Sequence, residues 1–308
     1  GNEHKIFAKN TWPVLSYDDE TWQRIMDVKH YPVKGEYEFT VGFEKNEAWI
    51  AYAHPYRLVD HIELVERVEN SGLFKVETAG ETVLGNSVKL VTFPSNAIYD
   101  EDKKVILIAA LQHPGEDCGG YFVQGVFNEL IKNHEKYRDN FIFKIFPMVN
   151  PDGVFMGITR YNYNMVDLNT EWDNGFTDTL ETTIEKEVQA IIDWHQKWTD
   201  EGGKIDIALD IHSHGQRTRN NTIHGESEEI ERLANTISEF WPLNYYQPKN
   251  LAGRGNFREY FLLRHGIISG SFELSQSGED TQNLLAIEDY VNYGEGLIKA
   301  LEAYFYNK

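Results

Sequence analysis

The sequence predicts an α/β fold, a mixed central β-sheet flanked by helices, with a short β-rich segment in front of it over residues 1–55. Two observations carry that prediction. Uninterrupted apolar runs such as "VILIAAL" (105–111) and "IDIALDI" (205–211) fit strands of a sheet covered on both faces. Stretches with helical spacing of apolar residues separate such runs, so strands and helices alternate along the chain. Near the amino-terminus, "EYEFTVGF" and "EAWIAYA" alternate apolar and polar residues around "EKNE", which predicts a β-hairpin. Beyond it the pattern predicts strands near 74–79, 87–93, 104–111, 142–149, 205–211 and 266–273. Helices are predicted over 57–69, 118–133, 178–198, 227–240, 255–264 and 286–305, so residues 56–308 read as one catalytic domain. No repeat, low-complexity tract or Pro/Gly-rich linker interrupts them.

Composition narrows the function. At 308 residues, with 41% hydrophobic and 13% aromatic content, the chain can bury a large core. Its 29 basic and 49 acidic residues give a formal charge of −20, the wrong sign for a nucleic-acid partner. Cys118 is the only cysteine, so no intrachain disulfide forms. No run of 18 or more apolar residues suggests a membrane span. The sequence starts at Gly1 rather than Met; if a signal peptide has been removed, the expected location is secreted or periplasmic, and otherwise cytoplasmic.

Chemistry collects where the apolar strands end, the place where open α/β sheets gather ligands. The "VILIAAL" run breaks into His113, Pro114, Gly115 and Glu116, a turn able to bring an imidazole and a carboxylate to one point. One such pair is weak evidence. In "LDIHSHG", Asp210, His212 and His214 sit two apart on a strand and therefore share a face, where ionisable groups need a polar cavity. Two imidazoles, a carboxylate and an open fourth position suit a catalytic zinc ion. A third apolar strand ends in Glu273 of "SFEL", a carboxylate able to take a proton from water. "NPDGVFMGITRYNYNMVDLNTEW" adds a turn signal followed by Arg160, Asp167 and Asn169.

Together, over roughly residues 48–278, these motifs resemble the zinc metallocarboxypeptidases, with "FTVGFEKNEAWIAYAHPY" and "HSHGQRTRNN" closest in flavour to the cytosolic branch. The resemblance implies one Zn²⁺ per chain held by His113, Glu116 and His212, with Glu273 as general base. It also implies that Arg160 polarises the scissile carbonyl, that Asp167 holds the first zinc histidine, and that Asn169 contacts a peptide or small amide substrate. His214 is expected to line the pocket, since a fourth protein ligand would close the metal site.

One position departs from the pattern. Relatives carry an arginine after the asparagine, where it grips the substrate's terminal carboxylate; here Thr170 follows Asn169 and cannot supply a bidentate charged fork. Arg217, Arg219, Arg254 and Arg258 are the candidate substitutes, with Arg254 favoured slightly over Arg217 because its glycine neighbours allow close approach. Tyr246 and Tyr260 are candidates for the family's mobile tyrosine, and Cys118 is the alternative nucleophile if the chemistry were thiol-based. The other readings are a zinc-dependent deacylase of N-acyl amino acids, similar to aspartoacylase and succinylglutamate desuccinylase, and a zinc-retaining binding module without turnover.

Overall fold

A computed structural model describes residues 12–31, 36–172, 184–214, 220–248, 255–276 and 284–306. Five short strands come first: β1 (Val14–Ser16), β2 (Gln23–Arg24), β3 (Val28–Tyr31), β4 (Glu36–Phe39) and β5 (Trp49–Ala51). They are β-rich, as expected, but the predicted hairpin does not form. Instead β5 pairs antiparallel with β1, placing Leu15 opposite Ile50, and β4 pairs with β3. Alternation tells each strand which face to bury but not which neighbour to take, so the error lay in the partner.

The rest alternates as the apolar runs require. In order come α1 (Leu58–Asn70), β6 (Lys75–Glu81), β7 (Ser87–Phe93), β8 (Lys104–Ala110), α2 (Cys118–Lys132), α3 (His134–Tyr137), β9 (Phe141–Phe146) and α4 (Pro151–Met156). Then follow α5 (Lys186–Asp200), β10 (Ile207–Ser213), β11 (Thr222–His224), α6 (Glu228–Ile237), β12 (Asn244–Tyr246), α7 (Phe257–Glu259), β13 (Ile268–Leu274) and α8 (Ile287–Tyr306). A π-helical turn, Tyr260–Arg264, continues α7. Of the expected helix over 178–198, residues 178–183 lie outside the described residues. The sequence pattern missed β11 and β12, three residues each, and α4, which Asn150 opens by accepting the Gly153 N–H at 2.9 Å.

Eight strands form one mixed sheet in the order β12-β11-β13-β10-β8-β9-β7-β6. Strands β13, β10, β8 and β9 run parallel; β11 and β7 pair antiparallel to this block, β11 with β13 and β7 with β9. The run in β8 shows why its sequence never alternates polar with apolar. Ile106, Ile108 and Ala110 enter a core shared with Phe122, Val126 and Leu297, while Val105, Leu107 and Ala109 enter a second one with Val188, Ile191 and Trp198. Both faces are buried under helices, so both sets of side chains are apolar. The carboxyl ends of β8, β10 and β13 consequently lie side by side, and the chemistry-bearing residues are those that follow.

Candidate metal centre

Beyond β8 the chain turns sharply through Leu111, whose φ of 57° is left-handed backbone, uncommon outside glycine. Gln112 and His113 follow. Gly115 then donates its N–H to the Thr159 carbonyl at 2.9 Å, and a Cβ at this position would lie 2.9 Å from the same oxygen. Only glycine fits that approach, which docks the His113–Glu116 turn on the loop carrying Arg160. His212 lies near the carboxyl end of β10, paired in register with Glu273 on β13. Adjacent parallel partners project to the same face, so strand pairing alone sets these two side chains next to each other.

His113, Glu116 and His212 offer ligand atoms that all lie within 4.8 Å of one another, and they could hold a metal ion. Hydrogen-bond directions test that fit. His113 Nε2 meets Asp167 Oδ1 at 2.9 Å, and His212 Nε2 meets Asp210 Oδ2 at 2.6 Å. If each neutral ring donates Nε2–H outward to its carboxylate, each Nδ1 carries a lone pair. Those two lone pairs both face Glu116, from His113 Nδ1 at 2.9 Å and His212 Nδ1 at 2.8 Å. Lone pairs aimed at a carboxylate are reconciled by a cation among them, which is what zinc supplies in such a donor set. The same crowding governs titration: burial works against the charged imidazoles, but Glu116 for His113 and Asp210 with Glu116 for His212 outweigh it, and both pKa values are raised. Glu116 is itself held well below the usual carboxylate range, burial being outweighed by the two histidines. The Ser213 N–H, 3.0 Å from Glu116 Oε2, fixes the remaining direction of this carboxylate.

An outer layer continues inward. Asp210, fully buried, accepts on both oxygens from Gln112 Nε2 at 2.8 and 2.9 Å, and Gln112 Oε1 accepts from Trp172 Nε1 at 2.8 Å. On the other side, Asp167 Oδ2 accepts from Arg160 Nε at 2.7 Å, so one carboxylate holds both His113 and Arg160. The Arg160 side chain is 53% exposed, open to a substrate. Asn169 accepts the Phe257 N–H at 3.1 Å and places Nδ2 3.0 Å from His212 Nε2. Burial, followed by the charge of Glu116, pushes the Glu273 carboxyl up to about 7.

His214 stands beside Glu273, its Nδ1 3.6 Å from Glu273 Oε2, rather than among the residues that could hold a metal. The Thr170 hydroxyl donates to the Asp167 carbonyl at 2.8 Å. Arg217, Arg219 and Arg254 lie outside the described residues; Arg258 is ion-paired through Nε with Glu226 at 2.9 Å. Of the two tyrosines, Tyr246 is half exposed with its ring 4.7 Å from His224, whereas Tyr260 is buried against Trp172. Burial, then Glu116 and Asp117, drive the Cys118 thiol well above its usual pKa, which removes the thiolate that cysteine catalysis needs. Gln112, Trp172, Thr222 and His224 were not identified from sequence: an amide, an indole, a hydroxyl and an isolated imidazole carry no pattern until folding supplies their partners.

The zinc carboxypeptidase family model matches residues 62–291, well over half of the chain. The chain belongs to the zinc carboxypeptidase family. Mouse cytosolic carboxypeptidase 6 is 31% identical over 172 residues, 53% of this chain and 31% of that protein. Human cytosolic carboxypeptidase 1 is 32% identical over 164 residues, 47% of this chain and 13% of that one. The chain thus spans about a third or less of these curated relatives. Among solved structures, a metallo-carboxypeptidase from Burkholderia cenocepacia superposes with a TM-score of 0.81 at 22% identity, over 97% of this chain and 81% of that one. One from Pseudomonas aeruginosa, in complex with (2-guanidinoethylmercapto)succinic acid, gives 0.79 at 21% identity over 97% and 80%. Both share the carboxypeptidase fold with this family member. Family membership favours the carboxypeptidase reading over the deacylase one. Among the described residues, no helix is long and apolar enough to cross a membrane.

Proposed function

We propose that the chain is a metallocarboxypeptidase that hydrolyses the C-terminal peptide or isopeptide bond of its substrate. The observation that carries this reading is the pairing of His212 with Glu273, which sets a general base beside the His113–Glu116–His212 cluster. Zinc bound there would supply the positive charge that acidifies a water and polarises a carbonyl. The chain's own residues do the rest. Glu273 takes the proton of the attacking water and returns it to the leaving amine. Arg160, steered by Asp167, donates to the oxygen on which negative charge develops. Asn169 lies at the edge of the cluster, where it is positioned to contact the substrate. The presence of both Glu273 and Arg160 counts against a module without turnover.

For the terminal carboxylate we assign Arg254 or Arg217 in place of the arginine missing at Thr170. Arg258 suits that role less well, because Glu226 already opposes its charge. We place the boundary between the β-rich segment and the catalytic domain near residue 55. A cytoplasmic location is favoured by the names of the curated relatives, which are cytosolic carboxypeptidases.

The experiment compares kcat/KM on N-acylated dipeptides ending in a free acid or an amide, with zinc present. A charge-assisted clamp worth ~1.5 to 3 kcal/mol gives the free acid an advantage of roughly 10- to 100-fold in the parent. That advantage should collapse in Arg254→Ala or Arg217→Ala. A ratio near one in the parent, or one unmoved by both substitutions, refutes the clamp; no cleavage of either peptide refutes the carboxypeptidase reading.

A further inference from the structure

Sheet register carries the base further than the metal cluster. Glu273 pairs on one side with His212 of β10 and on the other with Thr222 of β11, so the three residues form a row on one face of the sheet. Two positions beyond His212 stands His214, and two beyond Thr222 stands His224. The Thr222 hydroxyl lies between these two rings, 3.0 Å from His214 Nε2 and 3.1 Å from His224 Nε2. His214 is further pinned by its backbone N–H, which donates to the Leu274 carbonyl at 2.9 Å.

A hydroxyl has one proton to give, so it donates to one ring and accepts from the other. Which way it points follows from the far side of His214. Its Nδ1 is 3.6 Å from Glu273 Oε2, too long for a hydrogen bond but close enough that a bare lone pair there would repel the carboxylate. The favourable arrangement puts the proton on Nδ1. A neutral His214 then has its lone pair at Nε2, Thr222 donates to it, and the Thr222 oxygen accepts from His224 Nε2–H. Burial, then the charge of Arg258, holds the His224 pKa down to about 4, so that ring is neutral and has one proton to donate.

We propose that Thr222 fixes His214 as its Nδ1–H tautomer and so makes it a positioning residue for Glu273: the Nδ1–H dipole, facing Oε2 across 3.6 Å, attracts that oxygen electrostatically and leaves Oε1 to meet the attacking water. The inference rests on the carboxypeptidase reading for its catalytic consequence, but its structural content does not depend on activity. Two variants separate hydroxyl from shape, since Thr222→Val keeps the β-branched outline in β11 and Thr222→Ser keeps the donor.

In the full chain loaded with zinc, assayed on an N-acylated dipeptide with a free carboxylate, Thr222→Val should lower kcat about 5- to 10-fold, the worth of one hydrogen bond. KM and zinc content should stay within twofold of the parent, and Thr222→Ser should recover most of the lost turnover. The second readout is the imidazole ¹⁵N spectrum of the zinc-free protein, with the His214 signals identified by their loss in His214→Gln. The parent should show protonated Nδ1 and bare Nε2 at His214, shifted toward the opposite tautomer in Thr222→Val. A parent His214 protonated at Nε2, a tautomer indifferent to Thr222→Val, or a Thr222→Ser variant as slow as Thr222→Val would overturn the proposal. If the parent cleaves no such peptide, the carboxypeptidase reading fails while the spectrum still decides the tautomer.

Discussion

Replacing Asp210 by asparagine changes two properties at once, and the structure says how to separate them. Asp210 Oδ2 accepts from His212 Nε2 at 2.6 Å, while both oxygens accept from the single Gln112 Nε2 at 2.8 and 2.9 Å. In Asp210→Asn the amide oxygen can still accept the imidazole proton, so His212 keeps its tautomer but loses the anion that makes it a more basic ligand. Loss of such a partner costs about 10- to 100-fold in metal affinity. The second effect falls on the other neighbour. The new NH₂ group faces the Gln112 NH₂, and Gln112 cannot turn its carbonyl round without abandoning Trp172 Nε1 at 2.8 Å. One buried donor is left unpaired whichever way the amides turn, at a cost of about 1–3 kcal/mol to the metal-free fold. Gln112→Glu in the Asp210→Asn background restores an acceptor for both neighbours, so the double variant should recover the stability loss while zinc affinity stays reduced. Urea unfolding of the metal-free proteins reads the first quantity and chelator competition the second. An Asp210→Asn variant that binds zinc within threefold of the parent would show that Asp210 does not tune His212, and strictly additive stabilities in the double variant would remove the clash from the account.

The parent should bind about one zinc per chain, and His113→Ala or His212→Ala should lose most of it along with activity; elemental analysis finding full zinc in either variant would refute the ligand assignment. Glu273→Gln should retain zinc yet turn over at least ~10²-fold more slowly, because it removes only the proton carrier, and near-normal turnover would end that role. One contribution to stability, that of His61, should also fall in mild acid. His61, buried in α1 with Nδ1 unpartnered, is held down to about 4 by burial, below the ordinary value near 6.5. Between those limits the unfolded chain binds a proton that the folded one refuses. The His61 penalty is therefore absent above pH 6.5 and grows to about 3 kcal/mol as pH falls to 4. In His61→Leu the unfolding free energy should decline less steeply over that window; an equal slope would remove His61 from the acid response.

The sequence by itself determined the α/β class, because apolar runs that never alternate need helices on both faces of their sheet, and β8 divides its side chains between two cores accordingly. It also determined which residue types stand at the strand ends. His113, Glu116, His212 and Glu273 were legible there because ionisable groups closing a buried strand break the apolar pattern. Partner choice was not legible. The amino-terminal strands paired with neighbours other than the expected ones, and the three-residue strands β11 and β12 were too short to show a period. Tertiary structure alone decided that Asp210 turns back to hold His212 while His214, on the same face, stands beside Glu273. Spacing of two along a strand assigns a common face, but not which atom each side chain meets. Thr222 is the extreme case: a threonine in a three-residue strand has no pattern of its own, and only the register of β11 on β13 sets it beside Glu273.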